Sequence, residues 1–221
     1  MRYIGAIAAL GLISGICGGS VTPNTPPNPV LPLKVRSYGC KLTPAVSTGF
    51  AIDGGWVVTA AHATRGSTSI EIEGTTAALV AIDLRSDVAI LRPTSLANAN
   101  SDNSDRPARL VSALVGDAAT VTVRRDEGPQ VFIGEVQRVL TINFEEPLDD
   151  KYYKRHGLTV SGVALRHGDS GTAVVGPTGD VIGLMFAMSN KRDIGYAVRS
   201  DEIAALIPAR PNAAPVDSLR C

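Results

Sequence analysis

The sequence predicts an all-β protein built from two antiparallel β-barrels, with a short C-terminal helix. Three observations carry this. Aromatic residues make up only 5% of the 221 residues, while Val, Ile, Thr and Gly are abundant, which favours strands and turns over large helices. Short β-like runs alternate with turn signals from about Leu33 onward. These runs fall into two sets, parted by the polar, turn-rich stretch "TSLANANSDNSDRPA" at 94–108. Strand spacing by itself fits a sandwich as well as a pair of barrels.

Two segments precede the first set. Residues 1–20 read as a secretory signal: a cationic Arg2, an apolar run from Ile4 to Ile16, then small residues. The run is shorter than the roughly 20 residues a spanning helix needs, so no membrane span is expected. A lipid anchor at Cys17 is the lesser reading, because Ile16 stands where the lipoprotein motif takes a small residue. Residues 21–32 are proline-rich and read as a stiff, exposed spacer.

The first set of strands occupies 33–98. "STGFAIDGGWVVTAA" is a hairpin signal, with an Asp-Gly-Gly turn between two strands. "SIEIEG" alternates as a half-buried strand does, and "TAALVAID" and "DVAILRP" follow. The second set occupies 108–208 and includes "ATVTVRR", "PQVFIGEVQRVLTI", "GLTVSGVAL", "GTAVVGPTGDVIGLMFAM" and "IGYAV". "SDEIAALI", 200–207, is the helix candidate: Ser200 suits the cap, Asp201 and Glu202 suit the positive end, and Pro208 stops it. Residues 209–221 form a tail. The long charged stretch "NFEEPLDDKYYKRHG", 143–157, reads as a mobile loop or a solvated hairpin tip.

Zero net charge and the absence of a Lys/Arg run give no argument for a nucleic-acid partner. Asp102 and Asp105 lack the alternating ligand spacing of a calcium loop, and neither a metal nor a cofactor is expected. Apart from Cys17, the cysteines are Cys40 and Cys221, at opposite ends of the mature domain; in an oxidising compartment they are expected to pair.

"RHGDSGTAV", 166–174, places Ser170 between an aspartate and a glycine. Alone, such a tetrad is more often a turn than a reactive site. A serine hydroxyl is a weak nucleophile, and needs an imidazole base that is itself oriented by a carboxylate. Three histidines are available. His62 follows the apolar run "GWVVTAA"; His156 lies in the charged stretch; His167 sits too close to Ser170 to serve it as base. Asp87 opens an apolar strand, with Asp83 as its rival four residues earlier. No histidine follows Ser170, and Thr172 stands where G-x-S-x-G needs a glycine, which excludes the α/β-hydrolase order. A subtilisin order has only Asp53, in a hairpin turn, to offer. His62, Asp87, Ser170 gives the remaining order of the three.

"VVTAAH", "DVAIL" and "GDSG", in that order, resemble the trypsin-like serine peptidases of chymotrypsin fold, and the stretch from Gly171 to Val198 resembles their bacterial HtrA-type and actinobacterial periplasmic members. The resemblance spans roughly 33–207. It implies two barrels with the active site between them, and protein or peptide substrates. It also implies roles: His62 as base and then acid, Asp87 as its orienter, Ser170 as nucleophile, and the N–H groups of Gly168 and Ser170 as oxyanion hole. Ala164 would sit at the base of the specificity pocket, with Phe186, Ala187 and Met188 as the substrate-pairing strand. No carboxylate stands at that base, so small or medium apolar side chains are expected at the scissile position. Two departures stand out. Thr172 and Ala173 follow where the family continues "GDSGGP", and no Ile-Val-Gly-Gly-like start follows the spacer. Asp169 must therefore find a partner other than a freed N-terminus. The alternatives are a non-catalytic peptide-binding module of the same fold, using an edge strand, and an esterase.

Overall fold

A computed structural model describes residues 30–39, 42–94, 108–146, 151–189, 192–209 and 214–218. The first barrel contains β1 (Leu33–Gly39), β2 (Ala45–Ile52), β3 (Trp56–Ala60), β4 (Ser67–Ile72), β5 (Thr75–Asp83) and β6 (Val88–Pro93), with a single helical turn, α1 (Ala61–Thr64), after β3. Its strand order is β1-β2-β3-β6-β5-β4, closed by β1 pairing back onto β4. The second barrel contains β7 (Ala118–Arg125), β8 (Gly128–Glu146), β9 (Lys151–Ser161), β10 (Ala173–Val175), β11 (Val181–Met188) and β12 (Ile194–Arg199), followed by α2 (Ser200–Leu206). Its order is β10-β11-β12-β9-β8-β7, closed by β10 on β7. The fold is all-β, in two closed six-stranded barrels, and closure leaves no permanent sheet edge to manage.

Period-2 alternation explains why some strands read as unbroken apolar runs. Val57 points into the first barrel with Leu33, Val35, Ile70 and Leu91. Its neighbours Trp56, Val58 and Ala60 point outward, yet they are buried too, in a layer shared with Val175, Leu184, Phe186, Val198 and Ile203 of the second barrel. A strand with barrel core on one face and barrel interface on the other has no solvent face, so it carries no polar alternation. The second barrel's own core gathers Val121, Val123, Val136, Leu158, Val160 and Met185.

Two sequence expectations are corrected. Residues 143–146 and 151–157 are strand, not loop: β8 and β9 pair in continuous register from Leu140↔Gly157 out to Glu146↔Lys151. Phe144 packs against the interface layer and Arg155 is fully buried, so one face of this charged hairpin faces the barrel interface, not water. Ser200 does not cap α2 either. Arg199 holds the cap position without a side-chain bond, and the Ser200 hydroxyl donates to the Val111 carbonyl at 2.5 Å.

After α2 the chain returns to the first barrel. The Val216 N–H donates to the Leu79 carbonyl (2.8 Å), the Gly66 N–H to the Ser218 carbonyl (2.9 Å), and the Ser218 hydroxyl to the Ser67 carbonyl (2.6 Å). Ser67 in turn pairs with Gly39. Cys17, Cys40 and Cys221, the signal segment and the spacer up to residue 29 lie outside the described residues. No described helix is long and apolar enough to cross a membrane.

Candidate active site

His62 stands on α1, where β3 leaves the barrel. The turn is pinned to Asp87 three times over. The Asp87 carbonyl accepts from the Ala61 N–H (3.1 Å), Oδ1 accepts from the His62 N–H (2.8 Å), and Oδ2 lies 2.8 Å from His62 Nδ1. A carboxylate only accepts, so it fixes the proton on Nδ1 and leaves Nε2 with a lone pair. The Asp87 side chain is almost wholly buried, whereas the imidazole is about one-third exposed, as a base facing a cleft must be.

Asp87 has φ 59°, in the left-handed region. Aspartate tolerates this better than most residues, at a cost of about 1–3 kcal/mol. The conformation lets one residue offer both its carbonyl and its carboxylate to α1. Asp83 does something else: its carboxylate accepts from the Arg85 N–H (3.0 Å), the Ser86 N–H (3.2 Å) and the Ser86 hydroxyl (2.7 Å). It shapes the turn between β5 and β6 and presents Asp87. Of the two aspartates, Asp87 is the one that meets the imidazole.

The Ser170 loop docks against the same end of β3. Thr48 holds it at two points, its N–H donating to the Ser170 carbonyl (2.8 Å) and its hydroxyl to the Gly168 carbonyl (2.9 Å). Gly171 has φ 91°, and a Cβ there would stand 2.0 Å from the Thr48 carbonyl and 3.0 Å from the Ala60 nitrogen. Only glycine permits that approach, and Ala60 is two residues from His62. Gly168 has φ 98°. Among the described residues, the N–H groups of Gly168 and Ser170 donate to no protein acceptor, whereas those of Asp169, Gly171 and Thr172 all do.

Asp169 supplies the loop's anchor. Its Oδ2 accepts from the Arg166 N–H and from the Arg125 guanidinium, both at 2.7 Å, and Asp169 and Arg125 are both nearly buried. Arg125 also donates to the Ala164 carbonyl (2.9 Å), tying the strand end that leads to the loop. This internal cation is the partner the sequence left open. Thr172, a departure from the family pattern, is buried and donates its hydroxyl to the Asp169 carbonyl at 2.7 Å, closing the turn from the other side.

The other predicted residues divide. Ala164 is exposed beside the loop. Ala187 and Met188 are half-buried on β11, paired on one side with Tyr196 and Gly195 of β12. The Phe186 side chain is buried, 5.5 Å edge-on from Phe144, in the layer between the barrels, which leaves its backbone as the part that can meet a substrate. Period-2 alternation puts the ring there, since Leu184 faces the same layer and Met185 between them faces the barrel core. His156 is on β9 with Nδ1 2.9 Å from Glu202 of α2, and exposed His167 stands at the loop turn. Neither takes the place of His62 beside Asp87. Among the described residues, no group of His, Cys, Asp and Glu is arranged to hold a metal ion.

Two residues escaped sequence reasoning, Arg125 and Arg155. For Arg125 a signal existed, since Asp169 without a freed N-terminus asks for a cation. Nothing in the spacing chose among 21 Lys and Arg residues.

A family model for the trypsin-like peptidase domain matches residues 47–184. The chain is similar in structure to the Rv3671c protease from M. tuberculosis in its active form (TM-score 0.73, 23% identity, 88% of this chain and 86% of that one). It is also similar to a serine endoprotease from Yersinia pestis (TM-score 0.57, 18% identity, 80% and 61%). A third solved structure, the HtrA-type protease AlgW with a tripeptide, gives TM-score 0.61, 20% identity, and 80% and 59% coverage. No curated protein matches the sequence. With its two barrels, its ordered motifs and a family match across both, the chain belongs to the trypsin-like peptidase domain family of serine proteases.

Proposed function

We propose that the protein is an exported serine endopeptidase that works through an acyl-enzyme, with His62, Asp87 and Ser170 as its triad. The observation that carries this is the grip of Asp87 on His62, through both the backbone N–H and Nδ1. A buried carboxylate that fixes an imidazole tautomer has no use in a purely passive binding edge.

In this reading His62 Nε2 takes the proton of Ser170 Oγ as that oxygen attacks the substrate carbonyl carbon. The N–H groups of Gly168 and Ser170 receive the negative oxygen of the tetrahedral intermediate, a contribution of about 3–4 kcal/mol per donor in comparable sites. His62 then returns the proton to the leaving amine. Water, deprotonated by the same nitrogen, attacks the ester carbonyl and releases the acid, restoring Ser170. The substrate backbone lies along Phe186–Met188, where β11 runs past the end of β10 and can take an added strand. The carboxylate nearest Ala164, that of Asp169, is taken up by Arg125 and the Arg166 N–H, so small or medium apolar side chains are preferred, by the 1–3 kcal/mol that apolar pockets supply. Export follows from the signal-like residues 1–20, and the mature N-terminus from purified periplasmic or secreted material tests it.

A fluorophosphonate probe followed by peptide mapping tests the nucleophile. The expected adduct is on Ser170 and vanishes in Ser170→Ala. An unlabelled, folded protein would leave the peptide-binding module. Comparing peptide and ester turnover separates the endopeptidase from an esterase, which would hydrolyse only the latter.

A further inference from the structure

Behind the His62–Asp87 pair lies a cation that the reaction as written does not use. Arg155 belongs to β9 of the second barrel, and its side chain is 0% exposed. A guanidinium is costly to bury unless its surroundings answer it. Here most of those answers come from one turn of the other barrel. Nε donates to the Arg85 carbonyl (2.9 Å), Nη2 to the Leu84 carbonyl (3.1 Å), and Nη1 stands 3.9 Å from Asp87 Oδ2. The guanidinium lies against both the Phe144 ring (4.3 Å) and the Phe186 ring (4.8 Å), in the corner that these two perpendicular rings form. The oxygen it faces is the one that holds His62 Nδ1.

We propose that Arg155 is a positioning residue for the reaction: from the second barrel it locks the turn that carries Asp87 and places a permanent positive charge behind the His62–Asp87 pair. This rests on the triad reading above. The lock is geometric. A left-handed backbone at a non-glycine residue persists only where its surroundings over-determine it, and the two carbonyls Arg155 holds belong to the residues just before Asp87 in that turn. Phe186, buried between the barrels, is one wall of the arginine's slot.

The charge acts on the base. Asp87 favours the imidazolium form of His62, and a guanidinium on the far side of the same carboxylate opposes it. Arg155 therefore keeps His62 neutral, and competent as a base, further into acid. The other ionisable groups at this junction, Asp83, Arg85, His156 and Glu202, pair among themselves on the solvent side of the turn. Strands β2 and β3, which pack against α1, contain no ionisable side chain, and Arg92 lies toward the end of β6 remote from Asp87.

The test compares Arg155→Gln with Arg155→Lys: both can donate to the carbonyls, and they differ in charge. Arg155→Met keeps the volume without the charge and is the second uncharged variant should glutamine fail to fold. The readouts are the pH profile of kcat/KM on a peptide substrate and the NMR titration of the His62 ring. At the effective dielectric of about 20 that suits such pairs, loss of the charge is expected to raise the acid limb and the His62 titration by about one pH unit. Lysine should leave both near wild type while lowering kcat. If the uncharged variants lose melting temperature but keep the limb in place, Arg155 is a strut and the inference is overturned. Fluorophosphonate labelling of wild type separates the two levels. Labelled Ser170 with an unmoved limb sinks only the role of Arg155, whereas an unlabelled wild type removes the triad and that role together.

Discussion

Asp87 concentrates the site's demands in one residue, because its backbone, its carboxylate and its conformation each serve a different neighbour. Asn accepts the left-handed backbone as readily as Asp and can still receive the His62 N–H. Asp87→Asn is therefore expected to melt within a few degrees of wild type while kcat falls by roughly four orders of magnitude, through loss of the correct tautomer. Asp83→Asn, by contrast, should cost about 1 kcal/mol of stability through its weakened turn, with turnover reduced far less; denaturant melts and steady-state rates on the two variants check both statements. Arg125→Met leaves a nearly buried Asp169 carboxylate without its cation, for which the expected cost is about 3–5 kcal/mol. Ser170 labelling should fall with it, since the same guanidinium secures the approach to the loop. Much of this was legible in the sequence. "VVTAAH", "DVAIL" and "GDSG" pointed to His62, Asp87 and Ser170, the triad proposed above, because a strand end, a strand start and a glycine-flanked turn are local features. Arg125 and Arg155 were not legible. Their partners lie 44 and about 70 positions away in the chain, and an arginine's role inside a barrel depends on the pleat of strands that sequence cannot yet place.

The β8–β9 hairpin shows how an element can be misread by its surface. Its glutamates, lysines and tyrosines made 143–157 look solvated, and on one face they are, with Tyr152 largely exposed. The opposite face carries Phe144 and Arg155 into the layer between barrels. Period-2 alternation hides such a division when the inward residues are a lone aromatic and a charged side chain, because neither registers as a hydrophobic stripe. Phe144→Ala should destabilise by about 2–3 kcal/mol, from a half-buried ring and the space it leaves, and should lower turnover too, because Arg155 loses one wall. Replacing Glu145 with Gln on the outer face should change neither by a measurable amount. Thermal melts and kcat measured side by side distinguish this from a passive hairpin, in which only stability would move. The strands β3 and β6 were read correctly for the converse reason: with apolar surroundings on both faces, a short unbroken apolar run is what a strand must be.

At the scale of the whole molecule, the closing contacts come from far along the chain. Gly39 pairs with Ser67, and Ser67 accepts from Ser218, so the described residues nearest Cys40 and Cys221 meet on one strand. This supports the Cys40–Cys221 disulfide expected from the sequence. Mass spectrometry of unreduced digests should find the bridge, and Cys40→Ser should cost about 2–5 kcal/mol; two free thiols in the exported protein would refute it. The barrel pair itself was legible only as two sets of strands, since closure depends on β1 meeting β4 and β10 meeting β7, pairings between strands not adjacent in sequence.

The returning segment has a consequence in time. Its hydrogen bonds to β4 and β5 join residues as much as 151 positions apart, and contacts of that span form late, after the entropy of closing a long loop has been met. A chain that emerges amino end first has all six strands of its first barrel long before residues 216 and 218 arrive to buckle it. Until then β4 and the turn before it lack their outer partner. Maturation is thus written into the order of emergence: the half that holds His62 waits on residues 216 and 218, and a chain interrupted before them stays unfastened at that barrel.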